Sequence, residues 1–470
     1  MTDLDLCFTP ATELAARIRA GTLSPETVVE NALARIADVN PTLNCFCFVY
    51  PDEARALAQQ LATEAKAGKF RGPLHGIPYA LKDLTPTKGK RTTLGSFAYE
   101  HWVPDADAPI AEALAAAGGI LIGKTTTPEF AYSSFTESPL WGVTRNPWDL
   151  SRTPGGSSGG SGAAVASGCV PLAEGSDMGG SVRIPASFSG IVGLKPSFGR
   201  IPFTILPSQF DQISHFGPLA RSIGDVCLFM QATQGPDERD IQSLTTALDF
   251  TAPLNGALAG RRLALLLDSD RRVWDPEVEA AIRATAEKLA AAGAIVEEVT
   301  LGWGKFEDDL WLKHWGVYLA TFFGHVLKDY REKMDPNVVA LIDAGLAMNA
   351  VAFKQIEIDR TRMWQQVQPI LARNEAIITG TMCQPAAPIG AADHDYYRID
   401  PDGRYRTLDF TAVWNFLSPC PALSIPAGFT SGGLPIGFQI IGRRHDDRGV
   451  LGLGAAVEQF QPWADRRPPL

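Results

Sequence analysis

The chain has 470 residues, of which 45% are hydrophobic and 20% charged, with a formal net charge of −10 and a pI near 5.3. This length is ample for a buried core, and the composition is that of a globular protein. Because the charge balance is acidic and Lys and Arg form no run, the sequence excludes the electrostatic footprint of a nucleic-acid or anionic-membrane partner. We therefore expect a small-molecule substrate.

The cysteines and the N-terminus indicate the cellular compartment. Seven cysteines, an odd number without any CxxC pair, are scattered along the chain, at Cys7, Cys45, Cys47, Cys169, Cys227, Cys383 and Cys420. This spacing favours reduced thiols and argues against a disulfide framework or a zinc site. The first residues are acidic where a signal peptide carries positive charge, and nowhere do about eighteen apolar residues run uninterrupted. We expect a cytoplasmic protein without a membrane segment.

The first part of the chain carries helical patterns. Capping residues and apolar spacing predict two helices between residues 10 and 40, and an Ala-rich amphipathic helix over residues 52 to 67. We interpret residues 1 to 70 as a helical scaffold that packs on a catalytic domain formed by residues 71 to 465.

A short apolar strand follows in the segment GPLHGIPYALKDL, where Lys82 and Asp83 interrupt the apolar run. A lysine in such a strand is either an edge-strand residue that blocks aggregation or a buried amine whose pKa burial lowers from about 10.4. The strand taken alone favours neither interpretation. Residues 108 to 124 then predict a helix and a strand, so βα alternation begins here.

The densest glycine content lies in residues 154 to 187, PGGSSGGSGAAVASGCVPLAEGSDMGGSVRIPAS. A flexible linker is one interpretation. However, the spacer from Ala163 to Ala166 suits a buried helix, and a linker would not end in Asp177, Arg183 and Pro185. Because glycine lets backbone amides approach a ligand closely, we interpret this segment as the active site.

The remainder of the chain alternates turns, strands and helices. Residues 190 to 202 are turn-rich, and residues 203 to 217 predict an irregular apolar loop of a length that is usually functional near a site. Further patterns predict a strand at 262 to 267, a helix at 276 to 292 followed by the strand AIVEEV, strand and hairpin segments at 376 to 389 and 421 to 442, and a last helix from about Asp446 to Phe460.

An aromatic stripe lies within residues 303 to 330, where Trp311, Trp315, Tyr318 and Phe322 recur at helical spacing. Core packing is one interpretation of this stripe, and the aromatic wall of a binding pocket is the other. The candidate pocket residues are Trp311 and Trp315 from the stripe, and Ile205 and Phe210 from the loop over residues 203 to 216.

The segment GSDMGGSV carries the elements of acyl transfer, which needs a nucleophile, a base and donors for an oxyanion. Gly179 and Gly180 let successive amides point into one concavity ahead of Ser181, which makes Ser181 the candidate nucleophile. The seven histidines lie in no recognisable triad context, and a buried neutral lysine can replace histidine as the base. Lys82 is the best placed lysine, because it alone interrupts an apolar strand after a GxP turn.

Two other serine-hydrolase patterns fit less well. GGSSG at residues 155 to 159 matches the GxSxG nucleophile elbow, but NPWDLSRTP before it is not the strand that an elbow requires. The SxxK motif of penicillin-binding-type enzymes is missing, since no lysine has a serine three residues earlier.

Three segments, in this order, resemble the amidase signature family of serine hydrolases. GIPYALKD resembles the lysine strand of that family, PGGSSGGSGAAVA its Gly/Ser segment and GSDMGGSVRIPA its nucleophile segment. Ser157 and Ser181 are 24 residues apart, the separation such enzymes use, and the stretch from Asn415 to Arg443 resembles the C-terminal part of the family. The resemblance spans roughly Leu74 to Phe460.

The resemblance implies a single large α/β domain, with a twisted mixed β-sheet covered by α-helices on both faces. It implies a Ser-cisSer-Lys triad, in which Lys82 is the base, Ser157 relays protons after a cis peptide bond, and Ser181 is the acylated nucleophile. The implied oxyanion hole consists of the backbone amides of Met178, Gly179, Gly180 and Ser181, with Asp177, Arg183 and Ser158 as supporting residues. No metal or organic cofactor is implied, and the protein is expected to be a monomer or homodimer.

The implied activity is hydrolysis of a small, apolar or aryl amide, and relatives also take anilides, esters and carbamates, so urethane hydrolysis belongs to the range. One alternative is the glutamine-hydrolysing, ammonia-supplying subunit of a tRNA-dependent amidotransferase, which shares the signature but works only in a complex. The segment SQFDQISHFGP departs from that subunit pattern, which favours a free-standing hydrolase. A non-catalytic binding protein is a third alternative, and the joint presence of Lys82, Ser157 and Ser181 argues against it.

Overall fold

The computed structural model describes residues 2–391 and 393–470. The strands are β1 (Phe46–Val49), β2 (Pro78–Lys82), β3 (Ile120–Thr125), β4 (Glu137–Ser138), β5 (Gly142–Val143), β6 (Leu172–Asp177), β7 (Val192–Lys195), β8 (His215–Ala220), β9 (Arg262–Leu266), β10 (Arg272–Val273), β11 (Ile295–Val299), β12 (Ala376–Gly380), β13 (Arg398–Ile399), β14 (Tyr405–Arg406), β15 (Ala422–Phe429) and β16 (Pro435–Gly442). The helices are α1 (Leu4–Phe8), α2 (Ala11–Arg19), α3 (Pro25–Leu43), α4 (Pro51–Lys66), α5 (Pro109–Ala116), α6 (Gly159–Ala166), α7 (Arg183–Ser189), α8 (Ile223–Thr233), α9 (Pro276–Ala291), α10 (Lys305–Phe323), α11 (Leu327–Tyr330), α12 (Pro336–Ala347), α13 (Ala350–Arg373), α14 (Val413–Phe416) and α15 (Asp447–Phe460).

The main sheet has eleven strands in the order β1-β3-β2-β6-β8-β7-β15-β16-β12-β9-β11. β3, β2 and β6 run parallel, as do β12, β9 and β11. The strands between these two groups pair antiparallel. The sheet is therefore mixed, and β9 and β11 are parallel neighbours connected through α9, which confirms the predicted strand-helix-strand unit.

Helices cover both faces of this sheet. Because successive side chains of a strand point to opposite faces, β2 contributes Tyr79 and Leu81 to one hydrophobic core and Ala80 to another. The first core includes buried residues of α5 and α8, and the second includes buried residues of α3, α4 and α6. A strand buried on both faces reads as a continuous apolar run, as the β2 segment does. The predicted single α/β domain is confirmed.

Two stretches differ from the sequence-based expectation. The turn-rich residues 190 to 202 contain the strand β7, and the loop predicted over residues 203 to 217 ends at His215, where β8 begins. Both strands are completely buried within the sheet. Since both faces of these strands are buried, neither shows the polar and apolar alternation of a half-exposed strand. Pairing with neighbouring strands, rather than local propensity, determines their conformation.

Helices α10, α12 and α13 carry and cover the aromatic stripe. α10 and α12 approach so closely that a Cβ atom on Gly345 would lie 2.1 Å from the Gly316 carbonyl oxygen, so only glycine fits at position 345. Within residues 2–391 and 393–470, no single helix is both long and apolar enough to cross a membrane. α12 and α13 meet that requirement only as a pair, by length and composition, and they are bent by 101° relative to each other.

Candidate active site

Lys82 is the last residue of β2, which lies inside the sheet between β3 and β6. Its side chain is 0% exposed. The Nζ atom donates hydrogen bonds to Ser157 Oγ at 2.6 Å and Ser176 Oγ at 2.9 Å, and the backbone amide donates to Glu174 Oε2 at 2.9 Å. The edge-strand interpretation is therefore wrong, and Lys82 is a buried amine in contact with Ser157.

The electrostatic environment brings the Lys82 amine close to neutrality. Burial lowers the pKa of Lys82 from 10.5 to about 7, since an ammonium group loses its hydration there, while the charges of Glu174 and Asp177 act in the opposite direction. Burial also raises the pKa of Glu174 to about 7. A large fraction of Lys82 is therefore in the neutral form that accepts a proton at physiological pH.

The Gly/Ser segment is tightly packed. The Gly156–Ser157 peptide bond is cis, and α6 follows directly after Ser158. A Cβ atom on Gly160 would lie 2.5 Å from the backbone nitrogen of Thr126. The Gly/Ser segment therefore packs directly against the backbone that follows β3, and there is no room for a side chain at Gly160. The linker interpretation is therefore wrong. The described residues directly before Ser157 form no strand, which also removes the nucleophile-elbow interpretation.

Ser158 joins the Gly/Ser segment to the nucleophile segment. Its backbone amide donates to the Ser181 carbonyl oxygen at 3.2 Å. Its hydroxyl oxygen lies 3.3 Å from both the carbonyl oxygen and the amide nitrogen of Ser176. Ser158 therefore holds together the backbone that carries Ser157 and the backbone that carries Ser181.

Ser181 is half-buried at the turn from β6 into α7. Asp177 organises this turn, because its carboxylate accepts hydrogen bonds from the amides of Gly180 at 2.9 Å and Val182 at 3.2 Å. The same carboxylate accepts hydrogen bonds from Arg183 Nε at 3.0 Å and Nη2 at 2.9 Å. Burial acts to raise the pKa of Asp177, but the charge and hydrogen bonds of Arg183 hold it below its ordinary value.

This arrangement revises the expected oxyanion hole. The Gly180 amide already donates to Asp177, so it is not available for an oxyanion. Three of the expected amides remain as candidates, those of Met178, Gly179 and Ser181.

Three buried residues that sequence reasoning missed complete the environment of Arg183. The guanidinium donates to Gln439 Oε1 at 2.7 Å, Asn415 Oδ1 at 2.6 Å and the Thr411 carbonyl oxygen at 3.1 Å. Asn415 also donates to the Asp177 carbonyl oxygen at 3.0 Å. A polar side chain within an apolar run, as at Asn415 and Gln439, was the available signal, since buried polar groups are hydrogen-bonded.

Glu174 and Ser176, which contact Lys82, were also not predicted as site residues. Both belong to the wholly buried strand β6 and lie two residues apart, so they share one face. Two polar residues with period-two spacing in a buried strand were the signal for this pair. Their partner could not be identified without the parallel pairing of β6 with β2.

A cavity of about 400 Å³ opens over Ser181. Its lining includes Gly156 from the Gly/Ser segment and Met178 and Gly179 from the segment that precedes Ser181. The lining residues include the apolar Ile184, Trp311, Leu312, Trp315 and Leu341, and the polar Lys305, Asp308, Asp309, Tyr405 and Asp409. A cavity of this size suits a small molecule.

The aromatic stripe on α10 contributes both to the wall of the cavity and to the hydrophobic core. Trp311 and Trp315 line the cavity, and their rings stack with centroids 5.9 Å apart. Trp315 is also 4% exposed and belongs to the hydrophobic core.

The expectation for the loop over residues 203 to 216 is wrong for its two named residues. Phe210 is 71% exposed and Ile205 packs partly buried against the core, and neither belongs to the described lining of the cavity. Asp211 turns the loop along α10 instead, because its carboxylate accepts hydrogen bonds from the Ile213 amide at 2.9 Å and from the Tyr318 hydroxyl.

His215 lies beneath the nucleophile segment, with Nδ1 3.1 Å from the Asp177 carbonyl oxygen. Burial and the neighbouring Lys195 lower its pKa to about 3, so the imidazole is neutral. Across the described parts of the chain, no group of three or more His, Cys, Asp or Glu side chains is arranged to hold a metal ion.

Comparison with known proteins agrees with this geometry. A family model described as Amidase matches residues 27–451. The chain belongs to the amidase signature family. The protein is thus an amidase, an enzyme that hydrolyses carbon–nitrogen bonds of amides.

Among relatives of this amidase, an acylamidase from Rhodococcus erythropolis is 34% identical, over 100% of this chain and 98% of the relative. A glutamyl-tRNA(Gln) amidotransferase subunit from Synechococcus is also 34% identical, over 96% of both chains. Among solved structures, a bacterial aryl acylamidase of the amidase signature family superposes with a TM-score of 0.91 at 29% identity, covering 98% of this chain and 99% of the other. Sequence identity alone does not distinguish the hydrolase from the amidotransferase subunit.

Proposed function

We propose that this amidase is a free-standing enzyme that hydrolyses a small aryl or apolar amide through an acyl-enzyme on Ser181. The observation that carries the proposal is the 2.6 Å hydrogen bond between Lys82 Nζ and Ser157 Oγ, in a backbone that Ser158 joins to Ser181. A buried amine with a pKa near 7 beside a serine is an activated base.

In the proposed mechanism, Ser181 Oγ attacks the amide carbonyl carbon while its proton passes to Ser157 and from Ser157 to Lys82. The carbonyl oxygen becomes an oxyanion, which the amides of Met178, Gly179 and Ser181 are proposed to stabilise. As the carbon–nitrogen bond breaks, Lys82 and Ser157 return the proton to the departing amine. Water then attacks the ester on Ser181 by the same proton route, which releases the acid.

The lining of the cavity supports an aryl or apolar substrate. The stacked rings of Trp311 and Trp315, with Leu312 beside them, offer an apolar wall to one part of the substrate. The similarity to an acylamidase and to an aryl acylamidase points in the same direction. Activated esters and carbamates present the same carbonyl geometry, so we include ester and urethane hydrolysis in the proposed range.

The charges around the cavity argue against glutamine as the substrate. The α-carboxylate of an amino acid is held most strongly by a cation, above all by an arginine that donates two parallel hydrogen bonds. Lys305, the one Lys or Arg in the described lining, forms an ion pair with Asp309. Asp409 adds an acidic group to the lining, while burial raises the pKa of Asp308 to about 7 beside Arg272, whose Nη1 lies 3.6 Å from Asp308 Oδ2. The described lining therefore offers no Lys or Arg that is free of an ion pair to a glutamine carboxylate, which favours the free-standing hydrolase.

Location and assembly are part of the proposal. The seven cysteines are free thiols, which supports a reducing, cytoplasmic location. We propose a monomer or homodimer that needs neither nucleic acid, membrane nor cofactor. Residues 1 to 70, which also supply the edge strand β1 of the main sheet, would act as scaffold and form one structural unit with the catalytic part of residues 71 to 465.

The decisive experiment compares wild type with Ser181→Ala and with the control Ser187→Ala, a buried serine in α7 outside the cavity lining. Intact-mass spectrometry after treatment with a fluorophosphonate should show one adduct on wild type and control, and none on Ser181→Ala. Turnover of p-nitroacetanilide should be lost in the same variant alone. Stoichiometric labelling of Ser181→Ala would refute the nucleophile assignment. Turnover of glutamine but not of anilides, with elution in a complex, would favour the amidotransferase subunit.

A further inference from the structure

The indole of Trp311 makes a contact that a simple pocket wall does not need. Its Nε1 atom donates a hydrogen bond to the Met178 carbonyl oxygen at 2.9 Å. We propose that Trp311 is a positioning residue of the oxyanion hole, which orients the Gly179 amide toward the substrate carbonyl. This inference rests on the proposed function, in which Ser181 is the nucleophile.

The geometry of the peptide unit carries the argument. The Met178 carbonyl and the Gly179 amide belong to one planar trans peptide, so their C=O and N–H bonds point in opposite directions. A donor that holds the carbonyl on one side therefore fixes the direction of the amide on the other side. The same hydrogen bond polarises the peptide and strengthens the Gly179 N–H as a donor.

The next peptide unit is held in a different way. The Thr411 hydroxyl lies 2.6 Å from the Gly179 carbonyl oxygen and 2.6 Å from Asp409 Oδ1, and the Gly180 amide donates to Asp177 at 2.9 Å. Both polar groups of that unit therefore contact polar groups of the protein. Of the two glycine amides, the Gly180 amide is thus bound to Asp177, and the Gly179 amide is the one left to donate to the substrate. Trp311 is the side chain that sets the direction of the Gly179 amide.

Close packing leaves the Gly179 backbone little freedom to move away from the indole. A Cβ atom on Gly179 would lie 2.3 Å from Trp311 Cζ2, so the glycine backbone is in direct contact with the ring. Trp311 is in turn stacked on Trp315, and both rings line the cavity. The ring that would contact an aryl substrate is therefore the ring that holds the oxyanion donor.

Loss of this hydrogen bond should affect the transition state more than the bound substrate. The substrate carbonyl oxygen carries little charge until Ser181 attacks, and a donor aimed at the oxyanion matters most when that charge develops. Removing one direct oxyanion donor lowers kcat by about 100- to 1000-fold. Because Trp311 acts through the Gly179 amide, we expect a smaller loss, on the order of tenfold, with KM changed by less than about threefold.

The test uses two substitutions of Trp311 in the full chain. Trp311→Phe removes the indole N–H and part of the ring, whereas 3-benzothienylalanine at position 311 keeps the ring size and replaces the N–H by sulfur. The matched control is Trp463→Phe, because Trp463 Nε1 also donates to a backbone carbonyl, that of Arg221, at 2.8 Å and lies outside the cavity lining. Thermal melting reports the cost to folding in each variant.

Two readouts separate positioning from structure. With p-nitroacetanilide, both Trp311 variants should show a kcat about tenfold lower than wild type and a nearly unchanged KM. Trp463→Phe should keep the kcat and the KM of wild type. Phenylboronic acid, whose boron becomes tetrahedral on the serine oxygen, should bind both Trp311 variants about tenfold more weakly.

Unchanged kcat in the benzothienylalanine variant, or a rise in KM with kcat retained, would overturn the inference and leave Trp311 as a wall only. The proposed function is judged separately, because Ser181→Ala tests the nucleophile. Loss of activity in Ser181→Ala together with normal kcat in both Trp311 variants would reject this inference alone.

Discussion

The first prediction concerns the replacement of Lys82 by methionine, which keeps an unbranched apolar stem in the buried site and removes the amine. An ordinary lysine with a pKa near 10.5 is neutral in about one molecule in three thousand at pH 7, whereas burial lowers the pKa of Lys82 to about 7, so its neutral form is far more populated. The substitution therefore removes a base that burial has prepared for proton transfer. General acid–base groups contribute about 100- to 10,000-fold to rate.

We expect Lys82→Met to lower kcat/KM for p-nitroacetanilide by about 1000-fold or more, near the upper part of that range. The loss for p-nitrophenyl acetate should be at least about tenfold smaller, because a nitrophenolate leaves without the proton that an aniline nitrogen requires. Both reactions release a coloured product, so one spectrophotometric assay measures the two losses.

The matched control is Lys124→Met, because Lys124 is a second buried lysine, in the neighbouring strand β3. It donates to the Thr85 carbonyl oxygen at 2.6 Å and lies outside the cavity lining. Burial lowers the pKa of Lys124 to about 8, so the control matches Lys82 in environment. Its ratio of amide to ester activity should equal that of wild type. Equal losses on amide and ester in folded Lys82→Met would refute the proposed proton relay.

Three further predictions follow from the same geometry. The kcat/KM of wild type for the anilide should rise with pH through about 7 and be lost below it, because Lys82 acts in its neutral form and its pKa is lowered by burial; a pH–rate profile without this limb would contradict the assignment. Leu312→Ala changes a residue of the cavity lining and should alter the ratio of kcat/KM for benzamide to kcat/KM for acetamide by the equivalent of about 1 to 3 kcal/mol in transition-state binding. Phe210→Ala changes an exposed residue and should leave that ratio unchanged. A larger effect of Phe210→Ala than of Leu312→Ala would show that the loop over residues 203 to 216 contributes to the pocket. Arg183→Met should destabilise the fold by about 3 to 5 kcal/mol, measured by urea unfolding, because it leaves the buried Asp177 carboxylate without its partner; a loss below about 1 kcal/mol would show that the network compensates.

Local sequence patterns were sufficient for the elements whose signals are short-range. Apolar periodicity and caps predicted α2 to α5, α9 and α15, and the strands β2, β3, β9, β11, β12, β15 and β16. Lys82, Ser157 and Ser181 could be selected because a lysine within an apolar strand and two Gly-Gly-Ser clusters are rare local patterns with a chemical use. The hydrogen bond between Lys82 and Ser157 joins two segments, each of which a different local pattern indicates.

The groups that these residues meet are set by the packing of the folded chain. Lys82 could have been an edge residue until the order β3-β2-β6 placed it inside the sheet, and Ser176 becomes its partner only through that order. The Gly180 amide differs from its neighbours solely because Asp177 reaches it. In each case the deciding contact joins different strands, or closes a turn whose geometry the local pattern does not specify.

The substrate cavity depends still more on long-range packing. Ile205 and Phe210 had the composition of pocket residues, but Asp211 draws their loop along α10, and the apolar wall comes from Trp311 and Trp315 instead. Trp311 approaches the nucleophile segment from a position more than a hundred residues away in sequence. Apolar patterns report that a side chain is buried, whereas the identity of its neighbours is set by how helices and strands pack, which no local pattern encodes.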